Sequence, residues 1–229
     1  MNFTTFLKEL PAEENAAESA VPRDYGILSD ADAVKAFLAS LPAGVTIALA
    51  VVNAGGSRDG DDDDDASTAS LPMHGNSLGL EMNAAPVLGL SIGAGVARTV
   101  PPEAFDALRE WLTDGSAPKS VHDSKAARLA LVQHGVELCG VVHDTFLYAA
   151  LLDSTDSRQD LATVAERRMG VRPAKDAADE AADLTGQLAA LLLPELHKWN
   201  LEKLYADVEL PIAKILADRK STRLNSSHT

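Results

Sequence analysis

Residues 119–155 read KSVHDSKAARLALVQHGVELCGVVHDTFLYAALLDST. Ser120 to His122 has the length and composition of a short strand. From Ser124 to Gln133 the apolar residues fall at helical spacing, and Gly135 supplies the left-handed position that ends such a helix. Val136 to Val142 is apolar and β-branched, which predicts a second strand. Asp144 then stands where an N-cap is needed before the helix Thr145 to Leu152. Strand, helix, strand, helix, in a chain dominated by alanine and leucine, suits helices packed on a sheet, hence an α/β fold.

The same pattern extends outward from this stretch. Upstream, Ser29 to Leu41 is a capped helix with Ala33, Val34, Phe37, Leu38 and Leu41 on one face, and Val45 to Val52, VTIALAVV, is apolar on both faces as a central strand must be. Residues 53–84 are Gly, Ser, Asp and Asn without periodicity, which predicts an insertion largely without order. Val87 to Ile92 and Val96 to Val100, joined by Gly93, Ala94 and Gly95, predict a hairpin. Pro102 and Glu103 open a helix running through Leu112. Downstream, helices are expected at Arg158 to Met169, at Asp176 to Leu193, and on to about Ala217, with breaks at Pro194 and Pro211.

Composition narrows the function classes. With 229 residues and 46% apolar content, one substantial core is expected. The net charge of −14 opposes independent nucleic-acid binding, because Lys and Arg supply most of the affinity for phosphate. Six of these charges, Asp59 and Asp61 to Asp65, lie in one run, and the remainder is acidic too. Cys139 is the single cysteine, which excludes an internal disulfide and suits a reducing cytoplasm. No apolar run reaches the roughly 18 residues of a membrane span.

Three sequence features carry a resemblance to a known family. Lys125, Gly135-Val136-Glu137-Leu138 and His143-Asp144-Thr145 keep, without a gap, the order of a Lys-Tyr-Asp, Gly-Ile-Glu-Leu, Phe-Asp-Thr motif. Asp183-Leu184-Thr185 with Gln187-Leu188 resembles Asp-Val-Thr-x-Gln-Leu, and Asp207 to Arg219 resembles a Glu-x-Pro-Leu-x-x-x-Leu segment. These belong to the 3'-5' exonuclease domain of bacterial DNA polymerase I and to the opening of its polymerase domain. The resemblance implies a ribonuclease-H-like exonuclease fold, with a mixed five-stranded sheet flanked by helices.

Exonucleases of this family hold two divalent cations, which stabilise the attacking and leaving oxygens of a phosphoryl displacement and need carboxylate ligands. The resemblance places Ala50 and Val52 at the Asp-x-Glu pair of the first motif. Ala127 stands at the aspartate of the second, and Ala177 and Ala181 at the tyrosine and aspartate of the third. None of these side chains ligates a metal. The reading is therefore a degenerate exonuclease domain with no catalytic or metal-binding residue and no cofactor in this segment, Mg²⁺ being expected in the parent's polymerase domain. Relocated ligands, with Asp123, Asp179 and Asp183 as candidates, are the competing reading, and a single-stranded DNA-binding module is a third. The 4% aromatic content argues against the last, since base stacking needs aromatic rings.

Other signals have plainer explanations. DGDDDDDA lacks the Gly and Glu of a calcium loop, and GGSRDG and GNSLGL lack the lysine of a phosphate-binding loop. The Val-His-Asp triplets at 121–123 and 142–144 each end a strand before a helix, where aspartate is a natural cap. Among Lys119, Lys125, Arg128, Arg167, Arg168 and Arg172, Lys125 and Arg128 are the weak candidates for DNA contact.

The expected organisation is an interdomain linker at 1–24, in which Phe3, Phe6, Leu7 and Leu10 form one apolar face, then the exonuclease-like domain at 25–205. The start of a polymerase domain follows at 206–219, and a tail outside the fold at 220–229. The chain is expected to be a piece of a longer, cytoplasmic, monomeric polymerase. Its expected partners are DNA, met through the parent, and the rest of the same polypeptide, with no membrane.

Overall fold

A computed structural model describes residues 22–52 and 85–226, so residues 1–21 of the expected 1–24 linker and the expected insertion 53–84 lie outside the described residues. Six strands form one mixed sheet in the order β1-β4-β3-β2-β5-β6. These are β1 (Asp24–Ile27), β2 (Ile47–Val52), β3 (Val87–Gly93), β4 (Val96–Val100), β5 (Lys119–Val121) and β6 (Val141–Asp144). β2, β3 and β4 pair antiparallel, whereas β1 joins β4, β5 joins β2 and β6 joins β5 in parallel.

Alternation along the central strands sorts the two faces. Ile47, Leu49, Leu88 and Leu90 point into one core. That core is closed by α1 (Ala31–Ser40), a 3-10 helix (Pro102–Leu108), α2 (Arg109–Thr113) and α3 (Ser124–Val132). Ala48, Gly89 and Ser91 point the other way, to α6 (Ala178–Lys198). α6 shares a second core with α4 (Thr145–Leu152) and α5 (Leu161–Met169), built around Tyr148, Val164, Leu188 and Leu192. The chain closes with α7 (Glu202–Leu204), a π turn (Tyr205–Glu209) and α8 (Leu210–Ser226).

The α/β, ribonuclease-H-like architecture stands as expected, and the strand count rises from five to six. β1, sequence DYGI, is short, polar at one end and lies at the sheet edge, so it carries no periodic signal. The strand expected over Val136 to Val142 is displaced to Val141–Asp144. Gly140 takes a left-handed φ of 72° and lies so close to the Ala117 carbonyl that an added Cβ would stand 2.3 Å from it, which interrupts the extended run. Pro194 does not break its helix. It and Ala190, whose carbonyl loses a partner, are both on the exposed side, where water replaces the missing bond. The backbone of α8 runs to Ser226, past the point where helical patterning ends in the sequence.

Candidate functional site

Ala50 and Val52 share the α6-facing side of β2 with Ala48, and Ala50 pairs in register with Gly89. α6 sets Ala178, Ala182 and Gly186, four residues apart, against this side. A Cβ built on Gly89 would stand 1.8 Å from the Ala178 carbonyl oxygen and 3.1 Å from the Ala182 methyl, and one on Gly186 3.3 Å from the Ala48 methyl. Small residues on helix and strands therefore let the backbones meet directly. Ala177 is the N-cap of α6 and Ala181 lies one turn on, its N–H donating to the Ala177 carbonyl at 3.0 Å. Ala127 sits on α3 and packs with Leu131 in the core of the opposite face.

Methyl and isopropyl groups have no lone pair to offer, so the residues at these five positions do not fit a divalent cation. Among the described residues, no group of three or more His, Cys, Asp or Glu side chains is arranged to hold a metal.

The neighbouring acids have other work. Asp123 caps α3, its Oδ1 accepting from Ala126 N–H at 3.0 Å. Asp179 bonds the N–H of Glu180 at 2.9 Å. Asp183, a candidate relocated ligand, is 3% exposed. Its Oδ1 accepts the Gly95 N–H at 3.0 Å, and its Oδ2 accepts the Tyr25 hydroxyl at 2.8 Å and a Gln187 amide hydrogen at 3.0 Å. It clamps the β3–β4 turn and the edge strand to α6. Burial, then the Asp183 carboxylate, push the Tyr25 phenol well above its ordinary value.

Both Val-His-Asp triplets resolve into caps. Buried Asp144 accepts from Asp123 N–H (3.1 Å) and Ser124 N–H (2.7 Å) at the start of α3, and from Phe146 N–H (3.0 Å) at the start of α4. His122 lies between the Thr145 hydroxyl and the Gln159 carbonyl, each at 2.8 Å. A carbonyl only accepts, so Nε2 carries the proton and Nδ1 receives the Thr145 hydroxyl. Burial lowers the His122 pKa against the pull of Asp144 and Asp123. His143 Nδ1 meets the Tyr148 hydroxyl at 2.6 Å, and burial lowers its pKa also. The Tyr148 phenol is pushed up to about 12, chiefly by burial.

The basic residues divide sharply. Lys125 is exposed on α3. Arg128 turns inward and donates to the Leu138 carbonyl, with its pKa lowered by burial. Lys119 is fully buried, donates to the Asp114 and Ala117 carbonyls at 2.9 Å each, and lies 4.7 Å over the Trp111 ring. Burial brings its pKa down to about 8. Arg167 pairs with Asp156, Arg168 with Glu195 at 3.0 Å and Arg172 with Glu166 at 3.5 Å.

A cleft of about 710 Å³ opens beneath the second half of α6. Its lining includes Thr46, Ala48, Ser120, His143, Arg168 and Gly186. None of the five family ligand positions contributes to it. Sequence reading did not single out this region, because its lining comes from six separate elements, each contributing one or a few residues.

Comparison with known proteins follows the same lines. The family model described as DNA polymerase I, ribonuclease H-like domain, matches residues 82–178. DNA polymerase I of Bacillus caldotenax is 35% identical over 128 residues, covering 47% of this chain and 15% of the relative. That of Bacillus subtilis is 28% identical over 161 residues, covering 60% of this chain and 18% of the relative. The chain thus spans less than a fifth of the curated relatives it matches. Among solved structures, the POL domain of Pol1 from M. smegmatis, in complex with DNA primer-template and dNTP, superposes with a TM-score of 0.62 at 23% identity, over 85% of this chain and 31% of that one. Escherichia coli RNase D gives a TM-score of 0.60 at 16% identity, over 85% of this chain and 50% of that one, a likeness of fold. Sheet, motif order and matched relatives agree on one likeness: residues 82–178 of this chain match the ribonuclease H-like domain of DNA polymerase I.

Proposed function

We propose that this domain is catalytically inactive and serves as structural support for DNA synthesis in replication and repair by the polymerase of which it forms part. The observation that carries the reading is the set Ala50, Val52, Ala127, Ala177 and Ala181, five positions in three motifs without a ligating atom. Relocation of the chemistry is disfavoured because Asp123 is a helix cap and Asp183 is spent on Gly95 and Tyr25. A supporting role also suits the terminal helix. Ala213 and Ala217 are buried, while Val208, Ile212, Ile215 and Leu216 form an exposed apolar stripe at helical spacing, 40–56% exposed, available to a following domain. In this reading DNA is met through the parent polymerase, whose own domain holds Mg²⁺. Among the described residues no helix is long and apolar enough to cross a membrane.

The test is release of nucleotides from a 3'-labelled single strand by the purified chain, with Mn²⁺ and with EDTA. No release above the EDTA control is expected. Mn²⁺-dependent release that survives further purification would overturn the reading and return attention to Asp123, Asp179 and Asp183.

A further inference from the structure

We propose that the cleft beneath the second half of α6 is a binding site for a small amphipathic monoanion, an apolar body carrying one carboxylate. The site goes beyond the supporting role above and does not depend on it. Its floor is a row of side chains running across the sheet. Ser91 pairs with Ala48, Ala48 with Ser120 and Ser120 with His143 on successive strands, and all four line the cleft. The small members of this row leave about 710 Å³ under the helix, within the range of small-molecule sites.

The polar groups around this space differ in what they already hold. Ser91 Oγ donates to the Gly93 carbonyl at 3.1 Å. Ser120 is 2% exposed, and its Oγ is buried without a hydrogen-bond partner among the described residues. A buried hydroxyl that faces open volume unpaired is a hydrogen bond on offer to an occupant. Beside it, His143 meets the Tyr148 hydroxyl through Nδ1, which leaves Nε2 for a ligand. Gln187 gives one amide hydrogen to Asp183 and keeps a second. Arg168 meets Glu195 through Nη1, at 3.0 and 3.4 Å, so its other guanidinium edge remains for a carboxylate.

A hydroxyl, an amide hydrogen and a guanidinium edge all donate, which selects an acceptor-rich head group. One cation that already faces Glu195, in a chain of net charge −14, suits a single negative charge and repels a phosphate dianion. Ile92 and Leu191, 36% and 40% exposed, stand with Met169 and Leu193 as apolar walls for the body.

The full chain is titrated with phenylbutyrate, with phenylbutanol, which has the same body without the charge, and with inorganic phosphate, each followed by amide NMR shifts. Phenylbutyrate is expected to saturate one site, to move the amides of Ala48, Ser91, Ala94 and Ser120, and to bind at least about fivefold more tightly than phenylbutanol. Phosphate is expected not to saturate. Arg168→Gln should remove the preference for the acid, and Ser120→Ala should weaken the acid at least about threefold. Ala190→Phe, at an exposed position lining the cleft, should block it. Ser120→Ala removes a hydroxyl that bonds nothing, and the other two sites are exposed or part-exposed, so unchanged urea midpoints are expected. The proposal falls if phenylbutyrate does not saturate, if the alcohol or phosphate binds as well, or if the shifts centre on Val208 to Leu216. It falls also if any of the three variants binds the acid as the parent chain does.

Discussion

At the scale of single residues, charge and polarity in this domain are turned inward and consumed by the backbone. Asp144 closes the first turns of α3 and α4 together, and Asp183 holds a turn and an edge strand. His122 links the start of α4 to the loop before α5 in its neutral form. A buried imidazole with a folded pKa below its ordinary value of about 6.5 binds a proton more readily in the unfolded chain. Its contribution is therefore complete above about pH 6.5 and is lost as pH falls toward the folded value. His143 acts in the same direction. Unfolding free energy from urea titrations should fall between pH 7.5 and 5.5, and His122→Asn should flatten part of that slope. An unchanged slope in the variant would show that His122 does not set it.

At the scale of elements, the decisive contact is α6 on β2 and β3, made possible by Ala178, Ala182 and Gly186 above Ala48, Gly89 and Ser91. Gly89→Ala asks for a methyl 1.8 Å from a backbone oxygen, and backbone cannot step aside as a side chain does. A loss of at least about 3 kcal/mol in unfolding free energy is expected, at the upper end of ordinary overpacking. Gly93→Ala, with nothing within 4 Å of the new methyl, should stay within roughly 0.5 kcal/mol. Equal stability of the two variants would refute the close approach.

This contact also shows where sequence reading reaches its limit. VTIALAVV announces a two-faced central strand, and Asp123 and Asp144 announce caps, because those signals are local. The burial of Asp183 is not local. It sits among acids in the sequence DEAAD, and only folding brings the N–H of Gly95 and the hydroxyl of Tyr25 to it. Arg128 likewise resembles a surface cation until the carbonyl of Leu138 and the packing of α8 are in place. The five alanine and valine positions were legible as residues, but the cleft, assembled from separate elements, was not.

At the scale of the whole molecule, Tyr205 ties the C-terminal helices to the sheet. Tyr205 stands at the expected junction between the exonuclease-like domain and the polymerase start. Its hydroxyl accepts the Asp144 N–H at 2.9 Å and donates to the Val142 carbonyl at 3.0 Å, with its ring centroid 4.6 Å from that of Tyr148. Tyr205→Phe leaves the buried Asp144 N–H and the part-buried Val142 carbonyl without this partner. A loss of about 1–3 kcal/mol in unfolding free energy is expected from urea titration. A variant as stable as the parent would mean that these groups find water or another partner.

The clamp at Asp183 has a consequence for how the molecule comes into being. Tyr25 belongs to the first strand among the described residues, and the carboxylate that receives its hydroxyl is 158 residues further along the chain. At ~5–20 residues per second of synthesis, the edge strand waits roughly 8–30 s for its anchor. Throughout that interval the sheet has an open border, and the nascent chain depends on timing as much as on contacts to reach its native arrangement.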